Sequence, residues 1–434
     1  MARSAVPRLS NPPPSDPPDS LPPPSFTPPS QDDAGARCVR VCLDERSHGV
    51  SSLAYAKLAG FQGASLLVHN DSVFRESDFE SISRIGDSVK RTQVGKTGRF
   101  GVGFNSVYHL TDMPGFVSGR HVVFFDPHCA FLPNVSASNP GKRIDFVKND
   151  VLAAHPDQFE PFRAFGCDMR AEYRGTTFRF PLRTPEQASL SKLSKASYDA
   201  NGVRALLAEF AKEAALDALF LKNVEVVDVL EWAPGDAEPT LVARTALHSP
   251  TAALRTHRGQ FTRASTAFAA DEPIEPPTVF EATFESTNPA RRPAGDSSND
   301  PGAPTPAEGP SRRTFLVSQA LGSPALDALV RTGREKFGMK LVPWASVAAE
   351  IGGSEESGSS GGRAFCFLPL PARTGLPVHV NAYFELSSNR RDIWFGGDMA
   401  GGGAARSEWN QSLLERVVAP AYARLLERAA ETLG

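Results

Sequence analysis

The sequence lacks long apolar runs, paired cysteines and any excess of charge of one sign. No stretch approaches the roughly 18 apolar residues that a membrane-spanning helix needs, and the N-terminus has no apolar segment typical of a secretory signal. The 46 basic residues nearly balance the 49 acidic ones, so neither a nucleic-acid partner nor a membrane partner is expected. The 5 scattered cysteines without CxxC spacing argue against a zinc site or a disulfide framework. We therefore expect reduced thiols and a cytoplasmic location.

Large apolar residues are scarce at the N-terminus. Residues 1–31 contain 11 prolines, and such a segment buries too little surface to offset the entropy of ordering. We predict a disordered tail there with polyproline II character, which could also serve as a ligand for proline-binding modules. Two later segments, near 286–313 and 352–362, are rich in small and charged residues, which predicts disordered loops.

Strand and helix patterns alternate between these breaks. Residues 38–43 alternate between apolar and more polar side chains, as in a half-buried strand. Similar patterns predict further strands at 66–68, 122–125, 176–182, 224–230, 314–318, 364–369 and 377–386. Helical spacing predicts helices at 202–217 and 408–433, the second of which Pro420 should kink or divide. The mixture predicts an α+β fold, a sheet with helices gathered on one side.

A glycine-rich run carries the strongest functional signal. Gly98, Gly101 and Gly103 lead directly into a segment predicted to be helical. Glycine lets the backbone approach a ligand closely, and a helix N-terminus offers unpaired N–H groups to an anion such as phosphate. The spacing fits neither a P-loop, whose first glycine would fall at Lys90, nor the dinucleotide fingerprint, whose third glycine position holds Ser106. An ordinary tight turn is the alternative interpretation.

This run resembles the lid segment of the GHKL ATPases, the group of heat shock protein 90, DNA gyrase and the histidine kinases, and is most similar to the sacsin family. Ordered blocks extend the resemblance over nearly all of the chain from Asp32 to Leu433: residues 32–36, 70–74, 82–86, 125–128, 175–183, 377–381 and 387–394. It implies a GHKL (Bergerat, heat shock protein 90 N-terminal-like) layered α/β sandwich at 32–232, with its first helix incomplete. A second, smaller α+β domain of sacsin-repeat type should follow at 233–434.

The resemblance also implies an ATP site. In this family a carboxylate binds the adenine amino group, and glycine backbone meets the phosphates. The nucleotide-binding residues implied here are Asp33, Asn70, Asp71, Lys96, Gly98, Arg99, Gly101, Gly103, Phe104, Asn105 and Thr176. Asp71 is the candidate for the adenine contact, although Asn70-Asp71-Ser72-Val73-Phe74 replaces the usual Asp-x-Gly-x-Gly, which leaves His69 and Asn70 as neighbouring candidates. The Thr176 hydroxyl would bond the adenine-binding carboxylate or a bridging water.

Each of these residues has a simpler interpretation from its own chemistry. Asn-Asp-Ser readily makes a turn at the end of a strand, and a threonine within a strand is ordinarily a β-former. Lys96 and Arg99 could meet phosphate charge or be solvated. Asn105 and Ser106 could simply cap a helix.

Two positions depart from the family pattern. The first GHKL helix carries a Glu that activates the attacking water and, four residues later, an Asn that binds Mg²⁺; Phe26 and Ser30 occupy these positions here. Pro28 and Pro29 prevent a helix from extending back from Asp32. Hydrolysis is therefore expected to be weak or lost, Mg²⁺ is doubtful, and no metal ligand is assigned. Either the site is degenerate or this N-terminus is not that of the functional form; the sequence leaves both open.

Arg390 and Arg391 are the candidate catalytic residues of the second half. Guanidinium groups there could reach a γ-phosphate across a domain interface, as an arginine of the middle domain does in heat shock protein 90. A pair of surface arginines bonded to Asp392 is the alternative.

The sequence leaves three candidate functions. The resemblance implies an ATP-binding module that acts in protein quality control as a co-chaperone of the heat shock protein 70 system. A non-catalytic scaffold with a vestigial nucleotide pocket is the alternative, and measured binding of ATP or ADP would separate the two. The near-neutral charge and the absence of a receiver domain count against a histidine kinase or a mismatch-repair ATPase.

Overall fold

The computed structural model describes residues 32, 34–83, 104–273, 275–289, 308–322, 326–351, 361–387, 392–396 and 402–433. Within them, 14 strands form one sheet in the order β13-β12-β14-β11-β10-β9-β8-β7-β1-β2-β6-β3-β4-β5. The strands are β1 (Cys38–Asp44), β2 (Ser65–Asn70), β3 (Gly115–Gly119), β4 (His121–Phe125), β5 (Gly141–Asp145), β6 (Tyr173–Pro181), β7 (Val226–Trp232), β8 (Thr240–Leu247), β9 (Thr278–Asn288), β10 (Glu308–Leu321), β11 (Trp344–Ile351), β12 (Arg363–Cys366), β13 (Leu368–Arg373) and β14 (His379–Ala382). Strand β1 pairs in parallel with β7, and β12 pairs in parallel with β14.

Helices pack on this sheet. The α-helices are α1 (Glu76–Ser83), α2 (Phe146–Asn149), α3 (Val151–Ala154), α4 (Pro156–Phe159), α5 (Pro185–Leu190), α6 (Ala200–Leu219), α7 (Ala252–Arg258), α8 (Gln260–Ala269), α9 (Asp327–Phe337), α10 (Gly402–Leu413) and α11 (Ala419–Leu433). In the described residues, 3₁₀ helices lie at Ala56–Phe61, Phe104–His109 and Glu160–Phe162, and a π-helical turn lies at Leu414–Val418. None of these helices is long and apolar enough to cross a membrane.

Most of the predicted elements are present. The alternating pattern at 38–43 is β1, and the helix predicted at 202–217 is α6. The predicted strand at 364–369 is instead the hairpin of β12 and β13, which turns at Phe367 with a φ of 62°. The C-terminal helix continues past Pro420, and the π-helical turn directly precedes it. A wider turn is the adjustment expected because proline has no N–H to donate to the preceding turn.

Both faces of the sheet carry helices. On β10, Phe315 and Val317 pack with the C-terminal end of α6, whereas Leu316 and Ala320 pack with α10 and α11. Because successive side chains of a strand point to opposite faces, α6 and α11 lie on opposite sides. The expectation of helices gathered on one side is therefore wrong. The structure is a mixed α/β fold built on one large sheet, compatible with the α+β class.

The sheet runs without interruption past position 232, since β7 pairs with β8. The division at 232–233 stays a prediction. Strands β9 and β10 extend into the loop predicted near 286–313, so its edges at 286–288 and 308–313 are strand. The predicted tail at 1–31 and most of the predicted loop at 352–362 lie outside the described residues.

Candidate functional site

A turn at the end of β2 is the centre of the candidate site. Asn70 is buried and pairs with Thr176 of β6. Its side-chain Oδ1 accepts a hydrogen bond from the Ser72 N–H at 3.0 Å. This is the local turn that an Asn-Asp-Ser sequence favours. The Asn70 side chain thus shapes the turn, and Asp71 lies at its exposed tip.

The Asp71 carboxylate is fixed by main-chain donors. Its Oδ1 accepts hydrogen bonds from the Arg37 N–H at 2.8 Å and the Cys38 N–H at 3.1 Å, at the start of β1. Hydrogen bonds to an ionised acceptor are the stronger kind. Both bonds use the same oxygen, so Oδ2 is able to accept from a ligand amine. The Asp71 carboxylate is therefore exposed and held in one place.

Two buried hydroxyls hold the chain that follows the turn. Thr176 Oγ1 donates to the Ser72 carbonyl at 2.7 Å, and Ser118 Oγ on β3 lies 2.7 Å from Thr176 Oγ1. Since the threonine proton is already used, Ser118 donates to Thr176 and accepts from the Phe74 N–H at 2.9 Å. Thr176 thus bonds the main chain beside Asp71 and not the carboxylate that the resemblance implied.

Gly175 lets β6 pass close to this turn. A Cβ at Gly175 would lie 3.0 Å from the Asn70 carbonyl oxygen and 3.0 Å from His69 Cε1. Contacts this short would force one of the neighbours to move. The Gly175-Thr176 pair therefore combines a close backbone approach with the hydroxyl that holds Ser72.

His69 belongs to the opposite face of the sheet. Its ring stacks on Phe165, and its Nδ1 lies 2.8 Å from the Tyr173 hydroxyl and 3.2 Å from Thr177 Oγ1. Burial, with the nearby charge of Arg40, lowers the pKa of His69 to about 4. This histidine is a neutral core group, and its ring packs on the face of the sheet opposite to Thr176.

A buried ion pair supports the segment after the glycine run. Arg183, 1% exposed, donates through Nη2 to Asp112 Oδ1 at 2.8 Å and to the Tyr108 carbonyl at 2.6 Å. Its Nη1 donates to the carbonyls of His109 and Ala196. Burial raises the pKa of Asp112, but hydrogen bonds from Arg183, Ser191 and His128 outweigh that effect and lower it overall. The guanidinium therefore holds the end of the 3₁₀ helix in place.

The 3₁₀ helix Phe104–His109 itself differs from the expectation. The sequence predicted a helix with an anion-binding N-terminus, but the element has 6 residues and 3₁₀ geometry. A helix this short aligns few peptide dipoles, so its N-terminus attracts an anion only weakly. Its first residues, Phe104 and Asn105, are the predicted ones, and their side chains lie outside the described structure.

Asp32 marks the end of the predicted first helix. Its carboxylate is fully buried, and Oδ1 accepts from the N–H groups of Asn223 at 2.6 Å and Val224 at 3.2 Å. Lys222 Nζ lies 3.6 Å from Oδ2. Asp32 thereby ties the chain before β1 to the chain before β7.

Several predicted residues lie outside the described part of the chain: Asp33, Lys96, Gly98, Arg99, Gly101, Gly103, Arg390 and Arg391. The same holds for Phe26 and Ser30. The structure brings together Asn70, Asp71 and Thr176. It adds Ser118 and Arg183, which sequence reasoning missed, because their roles depend on which strands and loops become neighbours.

Comparisons with known proteins agree with the resemblance to the sacsin family that the sequence blocks indicate. A family model described as Sacsin domain matches residues 30–244. Human sacsin is 31% identical over 405 residues, which cover 91% of this chain and 8% of that protein. The chain thus spans a small fraction of the relative that it matches.

Among solved structures, one example shows how weak the likeness is. It is a crystal structure of the N-terminal domain of a DNA repair protein, 9% identical, and the match covers 67% of this chain and 64% of that chain with a TM-score of 0.25. A likeness this low carries no argument about the fold.

Proposed function

Because this chain belongs to the sacsin family, we propose that it is an adenine-nucleotide-binding module of the GHKL type. The observation that carries the proposal is the Asp71 carboxylate, fixed through Oδ1 by the Arg37 and Cys38 N–H groups. Oδ2 would accept a hydrogen bond from the adenine amino group. A carboxylate that is already immobilised loses little further freedom when a ligand binds.

The surroundings of the turn fit such a ligand. Asn70, Thr176 and Ser118 are buried and engaged in holding the turn, so the turn is rigid before any ligand arrives. Preorganised groups of this kind raise affinity by lowering the cost of ordering. By resemblance, Lys96, Arg99 and the glycines at 98, 101 and 103 would meet the phosphates.

Hydrolysis is proposed to be weak or lost. ATP supplies a transferable phosphoryl group, whose transfer to water depends on a base that orients the water and on Mg²⁺ that neutralises charge. Phe26 and Ser30 offer neither group. The proposed activity is therefore binding, with Mg²⁺ a doubtful companion and with Arg390 and Arg391 as phosphate contacts at most.

The cellular role follows from the family alone. We propose a cytoplasmic co-chaperone module that works with the heat shock protein 70 system. A non-catalytic scaffold is the alternative if the chain binds no nucleotide.

Calorimetric titration with ADP tests the binding proposal. Asp71→Asn keeps an oxygen for the two N–H donors but removes the charge, and should weaken binding by about 1–3 kcal/mol. Glu80→Gln on α1 is the matched control, since Glu80 is an exposed carboxylate a short distance along the chain, and should leave the affinity unchanged. Equal affinities for the wild type and Asp71→Asn would show that the site is elsewhere. No binding by the wild type would favour the scaffold.

A further inference from the structure

A small cavity lies on the face of the sheet opposite to Thr176. Its volume is about 20 Å³, which is enough for one guest of the size of a water molecule. The described residues that line it are mostly apolar, among them Leu58, Phe61 and Phe162, and none of them is acidic. Two of its polar side chains, Gln158 and Arg179, carry donors that have no hydrogen-bond partner among the described residues.

Gln158 contributes the first donor. Its Oε1 accepts from the Tyr55 N–H at 3.1 Å, and since a backbone N–H can only donate, this fixes which end of the amide is oxygen. The Nε2 group is buried and has no hydrogen-bond partner among the described residues. Gln158 is 2% exposed, so bulk water does not satisfy this group.

Arg179 contributes the second donor and a charge. Its terminal nitrogens donate to the carbonyls of Phe61 at 2.8 Å and Gly63 at 3.0 Å. Its Nε is buried and, in the described part of the chain, without a partner. Burial lowers the pKa of Arg179 to about 10, so the group is still a cation at neutral pH.

The nearby charges do not balance this cation. Asp44 acts on Arg179, but both oxygens of that carboxylate are bonded to Arg46, at 2.8 and 2.9 Å. His48 beside them is neutral, because burial and the charge of Arg179 lower its pKa to about 4. Two guanidinium cations thus share one carboxylate. A buried cation without a counter-charge is costly.

We propose that this cavity binds a single monovalent anion of the size of chloride, held by Arg179 Nε and Gln158 Nε2. Both free groups are donors, so the guest must accept hydrogen bonds. A water molecule would accept them as well, but would leave the excess positive charge in place, whereas an anion cancels it. This site is independent of the nucleotide proposal, since Arg179 points away from the face that carries Phe178 and Phe180.

Thermal unfolding in sodium chloride and in sodium gluconate at equal ionic strength tests the proposal. For the wild type, the free energy of unfolding should rise with chloride concentration as expected for binding at a single site. At a chloride concentration ten times the dissociation constant, the ratio of folded to unfolded chain should rise about 11-fold.

Two substitutions of Gln158 sharpen the test. Gln158→Glu keeps an acceptor for the Tyr55 N–H and places a second carboxylate oxygen where Nε2 lies, so it should abolish the chloride effect and be as stable in gluconate as the wild type in chloride. Gln158→Met keeps the length of the side chain without a donor, and should raise the dissociation constant for chloride about 10-fold or more. A further measurement does not depend on the folding of either variant. A bromide-soaked crystal of the wild type should show an anomalous peak beside Arg179 Nε.

Three results would overturn the proposal. Equal stability of the wild type in chloride and gluconate would mean that a water molecule fills the cavity. An equal chloride effect in the wild type and Gln158→Glu would mean that chloride acts elsewhere. A bromide-soaked crystal of the wild type without an anomalous peak in the cavity would mean that the cavity binds no anion.

Discussion

Removal of the hydroxyls of Ser118 and Thr176 should loosen the Asp71 turn. Thr176→Val keeps the shape of the side chain but removes the donor to the Ser72 carbonyl, 2.7 Å away. Ser118→Ala removes the acceptor of the Phe74 N–H. Each substitution also removes the bond between the two hydroxyls.

The magnitude follows from the burial of this pair. Both residues are fully buried, and a buried group left without its partner costs about 1–3 kcal/mol of unfolding free energy. The bond between the hydroxyls is lost in either single variant and can be lost only once. The double variant should therefore be destabilised by about 1 kcal/mol less than the sum of the single variants.

Urea unfolding of the wild type, both single variants and the double variant gives the coupling energy. Hydrogen exchange at the Phe74 amide should quicken in Ser118→Ala, because that amide loses its acceptor. Ser47→Ala, at an exposed side chain, is the control and should change stability by less than about 0.5 kcal/mol. Additive costs with unchanged exchange at Phe74 would refute the hydroxyl relay.

Two further predictions concern pH and hydrolysis. Burial, and then the charge of Glu213, raise the pKa of Asp217 on α6 to about 7. Between the pKa of this group in the unfolded chain and its pKa in the folded chain, the folded state binds one more proton. The free energy of unfolding therefore falls as pH rises through that range. Asp217→Asn should flatten this fall and stabilise the chain at about pH 8 more than at about pH 4 in urea titrations, and an unchanged pH profile would contradict it. The wild-type chain should release little phosphate from ATP. Phe26→Glu with Ser30→Asn, and with Pro28 and Pro29 changed to Ala, should raise the rate of phosphate release. Turnover by the wild type that Asp33→Asn abolishes would contradict the loss of the base.

The parts of the fold that the sequence predicted have clear local patterns. Strand β1 buries Val39, Val41 and Leu43 on one face, and that alternation is visible in the sequence. Strand β5, with the sequence Gly-Lys-Arg-Ile-Asp, lies at an edge of the sheet and is only partly buried. No apolar pattern therefore predicts it.

The placement of helices on both faces of the sheet was missed for a related reason. Strands buried on both sides, such as β10 with Phe315 and Leu316, have apolar residues at successive positions. Such a run does not show that two separate helical layers cover it.

The candidate site was predictable in the same partial way. Asn70-Asp71-Ser72 indicates a turn by its own chemistry, and the turn is present. The bond between Ser118 and Thr176 depends on the register of β3 against β6, which no local sequence pattern sets. The contacts of Arg183 with Tyr108 and His109 likewise join segments far apart in the chain.

Hydrogen exchange with and without saturating ADP tests the central claim most directly. If adenine binds at Asp71, exchange should slow in the turn at 70–74 and at the amides of Arg37 and Cys38, which donate to that carboxylate. Asp71→Asn should lose this protection at the same ADP concentration. Unchanged exchange at both segments of the wild type, with ADP shown to be bound, would contradict the account.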